Sequence, residues 1–241
     1  SSTIAGAQRF RTFLGPWSSS AATLQAASQS NELETLMSIP SLLRHHGVRA
    51  PRFVTVAGQV VFDNVTSTPT GPVHSEYGRV TAVTPHRFHG GEEEPEAELP
   101  EPDAEWWADE AALVRHVDAM NKSFPGFVYL SGEAGYPPSW GGIINTGRGQ
   151  FEALIMTRRD QGLPRVHVTK PRLGVNAGKR WQEPPHLFTS GSLCVADSSD
   201  WDPSEHTAAT VTAWAAHWLA AYSEWRITRR WPVEGVDSIV A

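Results

Sequence analysis

The chain carries one cysteine in 241 residues, Cys194, closing the run Gly191-Ser192-Leu193-Cys194. A thiol reacts as its thiolate. With an ordinary pKa near ~8.5, about a few per cent is ionised at neutral pH. A single cysteine makes neither an internal disulfide nor a cysteine-based zinc cluster. Two readings of the lone thiol follow, a small buried hydrophobe or a nucleophile. Gly191 permits a tight turn directly before it. His186, in Pro184-Pro185-His186, is able to donate a hydrogen bond, to act as a base, or simply to cap the loop. Lys179 and Arg180 would raise the thiolate fraction. Downstream lie Asp197, Asp200 and Asp202, each suited either to orienting an amine or to plain loop and helix-cap duty. His45, His46, His74, His86 and His89 offer imidazoles, but their spacing matches no zinc-ligand pattern, so no metal is expected.

The elements around this segment can be read from periodicity. Asn31 to Leu42 suggests a short helix ending near His45-His46-Gly47, after a Ser-, Ala- and Gln-rich stretch at residues 1–29. Phe53 to Val65 alternates around Ala57-Gly58-Gln59, as a β-hairpin does, and Tyr77 to Val83 reads as another strand. Residues 90–104 have the Gly, Glu and Pro content of a linker. A helix is expected from about Asp103 to Asn121, with Trp107, Ala111, Val114 and Val117 on its apolar side. Four short apolar runs follow, at 127–130, 140–144, 151–157 and 166–169, separated by Gly and Pro turns. They predict an antiparallel meander. The last element is a long helix. Asp202-Pro203-Ser204-Glu205 looks like its N-terminal cap. Val211, Trp214, Ala215, Trp218, Tyr222 and Trp225 repeat at helical spacing as a core-facing stripe, which Trp231-Pro232 terminates.

Composition narrows the function classes. Hydrophobic residues make up 40% and charged residues 19%, values of a globular chain. No apolar run reaches the roughly 20 residues a membrane helix needs, and no signal segment opens the sequence, so a cytoplasmic location is expected. A net charge of −6 argues against nucleic acid as a partner. The charge is uneven. Eight acids and no Lys or Arg lie between Glu92 and Glu105, whereas seven Lys or Arg and one acid lie between Arg158 and Arg180. The plain reading is a solvated linker and a solvated face. The sharper one is a basic surface near the thiol that receives an acidic partner.

The order helix, four-strand meander, Cys-containing turn, Trp-x-Pro, long helix resembles the ubiquitin-conjugating-enzyme (UBC) family. Gly191-Ser192-Leu193-Cys194 matches the family's Gly-x-[Ile/Leu]-Cys turn, and Trp201-Asp202-Pro203 matches its Trp-x-Pro at the family spacing. Gly149-Gln150-Phe151 resembles the Gly-x-Phe that opens the second strand, and Leu163-Pro164 to Pro171 resembles the Tyr-Pro…Pro-Pro segment. Trp218-Leu219, Tyr222, Trp225, Thr228 and Trp231-Pro232 look like bacterial members of the superfamily, including those of antiphage conjugation operons. The resemblance covers about residues 103–235. In place of the family's His-Pro-Asn this chain has Pro184-Pro185-His186, and it ends soon after the long helix.

The resemblance implies an α/β (α+β) fold. Residues 101–241 would form a UBC-like domain and residues 1–100 a β-containing N-terminal extension. It implies an enzyme carrying a ubiquitin-like protein as a thioester on Cys194, with His186 in the place of the loop-ordering asparagine. The acyl group would pass to an amine on a protein target. The partners would be a ubiquitin-like protein, its activating enzyme and the target, with no metal or organic cofactor, nucleic acid or membrane. Two alternatives stand beside it. One is a non-catalytic UBC-like scaffold. The other is a cysteine hydrolase acting on ubiquitin-like adducts through Cys194 with His186 or His217. In the conjugating reading, Cys194 and His186 are expected as near neighbours on a partly exposed ledge.

Overall fold

A strand whose alternate side chains are apolar must bury one face, and the runs after residue 127 do so. In the computed structural model, which describes residues 51–88, 92–97, 105–133 and 136–237, they form one antiparallel sheet. Its strands are β7 (Val128–Leu130), β8 (Ser139–Asn145), β9 (Gln150–Met156) and β10 (Arg165–Lys170), in the order β10-β9-β8-β7. Trp140 and Ile144 of β8 and Phe151, Ala153 and Ile155 of β9 point inward. The β8–β9 turn uses Gly147 at φ +80°, with the Asn145 side chain accepting from its N–H. This is the expected meander. Gly149-Gln150-Phe151 opens its third strand, not its second.

The inward face rests on the long helix α2 (Ala208–Thr228). α2 is apolar nearly all round because it is covered on several sides. It packs against α1 (Glu110–Ser123), against β8 and β9, and against β1 (Phe53–Thr55) and β2 (Val60–Val61). The stripe Val211, Trp214, Ala215, Trp218, Tyr222 and Trp225 is buried throughout, as core packing requires. The helix does not start at the expected cap. Asp202 instead accepts from the Ser204 N–H at 2.8 Å and closes a turn, while its own N–H donates to His206 Nδ1. The helix begins after Thr207, whose N–H donates to the Thr210 hydroxyl.

A second antiparallel sheet has the order β2-β1-β5-β4-β3, with β3 (Val65–Thr68), β4 (Gly71–His74) and β5 (Gly78–Ala82). Val54, Val83 and Phe88 belong to the same apolar cluster as the α2 tryptophans. Further along, β6 (His86–Arg87) pairs with β13 (Gly235–Val236), bringing the segment after α2 back beside residue 86. Gly235, at φ +134°, lies where a Cβ would fall 2.1 Å from the His86 carbonyl oxygen, so only glycine fits that pairing. Residues 175–182 form a hairpin of β11 (Val175–Ala177) and β12 (Arg180–Gln182), which carries Lys179 and Arg180. The helix expected at 31–42, and His45, His46 and His89, lie outside the described residues. Among the described residues no helix is long and apolar enough to cross a membrane.

Candidate active site

Cys194 follows a chain segment doubled back on itself. Gly191, at φ +86°, makes the reversal. The Gly191 N–H donates to Phe188 O, and the Phe188 N–H to Ser192 O, both at 2.9 Å. Leu187 and Leu193 face each other across the doubled segment. The Leu193 N–H donates to Val166 O of β10 at 2.8 Å, which fastens the segment to the edge of the meander.

The structure brings His186 and Cys194 together through main chain. The Cys194 N–H donates to His186 O at 2.9 Å. The indole Nε1–H of Trp218 on α2 donates to the same oxygen at 3.1 Å, so the helix clamps the start of the turn. His186 sits at φ +56°, a left-handed conformation in which Asn, Asp and His are enriched. Its ring lies 5.1 Å from Trp231 and 5.9 Å from Phe88, and its Nε2 is 3.5 Å from Glu234.

The expected exposed ledge is not what the fold provides. Cys194 is only 1% exposed and Ser192 likewise 1%. The reason is the tethering just described: a turn fastened to β10 on one side and to α2 on the other turns inward. The N–H groups of Leu193 and Cys194 are both engaged by carbonyls, so neither is positioned to stabilise an oxyanion in this conformation.

The other candidates divide. Asp197 accepts from the Ser199 N–H and hydroxyl and Asp202 from Ser204, so both serve their own loops, while Asp200 accepts from the Arg87 N–H at 2.7 Å and ties its loop to β6. The hydrogen bonds from Ser204 hold the Asp202 carboxyl below its ordinary pKa. Lys179 and Arg180 lie exposed on the β11–β12 hairpin. His217 is buried on α2, its Nδ1 3.2 Å from His86 Nε2, while His86 Nδ1 is 2.8 Å from Thr84 O. A neutral His86 donating to Thr84 must accept from a His217 Nδ1–H. Burial pushes His86 down to about 4, against the opposing influence of the Thr84 hydrogen bond and the Asp200 charge. His74 accepts from the N–H groups of Glu76 and Tyr77 and so holds a turn. Among the described residues no group of three or more His, Cys, Asp or Glu converges on a metal-sized position.

Part of the acidic run belongs to the site's surroundings. Residues 92–97 lie against the β9–β10 connection. Arg158, buried and paired with Asp160 at 2.5 Å, donates to the carbonyls of Glu94 and Pro95. Glu96 accepts from the Arg159 N–H, and the Ala97 N–H donates to Asp160. Glu93 accepts from the Ser192 hydroxyl at 2.7 Å and pairs with Arg165 at 3.1 Å. Neither Glu93 nor Ser192 stands out locally in the sequence. The opposed charge runs were the available signal.

A family model described as Type II CBASS E2 protein matches residues 116–238, a little over half of the chain. The chain belongs to that family. The matched span of this E2 protein runs from the middle of α1 through the meander, the Cys194 turn and α2 to β13. The E2-like assignment agrees with a bacterial protein of an antiphage conjugation operon, and it gives the chain an E2-like role in CBASS defence. No curated protein and no solved structure matches the chain.

Proposed function

We propose that this E2 protein carries a ubiquitin-like protein as a thioester on Cys194 and transfers it to an amine of a target protein. The observation that carries the reading is the Cys194 turn itself. It sits within the matched family span, pinned to His186 O beside the Trp218 indole and followed directly by the Trp201-Asp202-Pro203 turn and α2. In the first step the Cys194 thiolate attacks the acyl carbon presented by an activating enzyme as a thioester, and the activating enzyme's thiolate leaves. In the second, an amine attacks the new thioester, the C–S bond breaks, Cys194 departs as thiolate and the amine proton passes to a base or to water. Nothing in this sequence needs a cofactor. Residues 101–241 are the proposed conjugating domain, within residues 1–100 the β1–β5 sheet serving as its support through Val54 and Val83.

Burial of the thiol, the engaged N–H groups of Leu193 and Cys194 and the missing asparagine favour a non-catalytic scaffold, and a single experiment separates the two. The chain is incubated with ATP, an activating enzyme and a ubiquitin-like protein, then run on gels with and without reductant. A reducible adduct that Cys194→Ala abolishes, and that Cys194→Ser converts to a reductant-resistant ester, is the expected result. Full conjugation by Cys194→Ala would refute the proposal.

A further inference from the structure

We propose that Glu93 is a positioning residue for the Cys194 turn and that residues 92–97 form a releasable strap which keeps the thiol inaccessible until it lifts. Five observations converge on this. The thiol is buried although its chemistry requires access. The Ser190 and Ser192 hydroxyls, 2.8 Å apart, are the side chains of the reversal leading into Cys194. Ser192 is fixed from outside the turn by the Glu93 carboxylate. The same carboxylate holds Arg165, whose strand supplies the Val166 carbonyl that fastens Leu193. The remainder of the strap is held by Arg158, Arg159 and Asp160 in the connection that leads into that strand.

The forces suit a reversible device. Burial alone would raise the Glu93 carboxyl, but the hydrogen bonds from Ser190 and Ser192 and the Arg165 charge outweigh it and hold the group below its ordinary pKa, ionised at neutral pH. The Glu93 and Arg165 side chains remain 22% and 34% exposed, so salt can weaken their attraction. At its Glu93 end the strap is tied by a solvent-accessible charge pair and one charge-assisted hydrogen bond, so that end is open to displacement by a competing charged surface while Arg158, Arg159 and Asp160 hold the rest.

The proposal builds on Cys194 as the acyl carrier, but its readout is thiol access alone. As the sole cysteine, Cys194 reports its own alkylation in the intact chain by mass. We expect Glu93→Gln to speed modification by N-ethylmaleimide about five- to tenfold, the scale of losing one partly screened charged hydrogen bond. Raising salt from low to molar should speed the wild-type chain but leave Glu93→Gln nearly unchanged. Glu93→Asp should restore part of the protection. A merely structural defect would show no such salt difference and no rescue. Equal alkylation rates for the wild-type and Glu93→Gln chains, or identical salt responses, would overturn the strap. Failure of Cys194 to accept a ubiquitin-like protein in the gel experiment would overturn the conjugation reading while leaving this result intact.

Discussion

At position 186 the backbone conformation, not only the ring, selects the residue. A left-handed φ of +56° disfavours most side chains by about 1 kcal/mol, whereas asparagine tolerates it and histidine does so better than most. Asparagine in place of His186 should therefore keep the turn and supply an amide donor. Under the proposed chemistry, His186→Asn should discharge a loaded thioester to lysine at least as fast as wild type. His186→Ala should still load but discharge more slowly, by less than the ~100- to 1000-fold lost with a preformed oxyanion donor. Single-turnover discharge measures both, and a wild-type rate for His186→Ala would make His186 a packing residue. The closeness of Cys194 and His186 was legible in the sequence because the Gly191 reversal has to fold one against the other. The burial of the thiol was not. It depends on Val166 and Trp218, neither of which is near it in the chain.

At the level of elements, α2 holds the site through one indole. Trp218→Phe removes the Nε1–H bond to His186 O together with part of a fully buried ring. The change should destabilise the fold by about 2–3 kcal/mol, from the lost buried hydrogen bond and the cavity left by the smaller ring, and should increase alkylation of Cys194. Urea unfolding and thiol labelling of the same variant check the two effects together. Destabilisation without a labelling change would show that the clamp does not govern the turn. The sequence revealed elements according to how local their causes are. β8 and β9 were readable because Trp140, Ile144, Phe151 and Ile155 alternate. The start of α2 was misplaced by several residues because Asp202, an apt cap in isolation, is engaged by Ser204 and His206. The β6–β13 pair left no trace, since its partners stand about 150 residues apart and two residues carry no period.

Taken as a whole, the molecule buries imidazoles that must stay neutral. Burial lowers both His86 and His116 to about 4. An unfolded histidine titrates near ~6.5, so between that pH and about 4 the unfolded chain binds protons that the folded chain refuses. Stability should thus fall as pH drops through that window, each group contributing up to about 1.4 kcal/mol per pH unit, with no contribution above it. Urea midpoints from pH 7 to 5 test this. His86→Gln should flatten the slope, and an unchanged slope would remove His86 from the account. The acidic strap has a different consequence, for how the chain can drift. Arg158 reads the carbonyls of Glu94 and Pro95, and Asp160 reads the N–H of Ala97, so these contacts ask for a main chain of fixed length and little else. Only Glu93 and Glu96 are held by their side chains. Related straps should accordingly vary freely in composition at three positions while tolerating neither an inserted nor a deleted residue between the two glutamates.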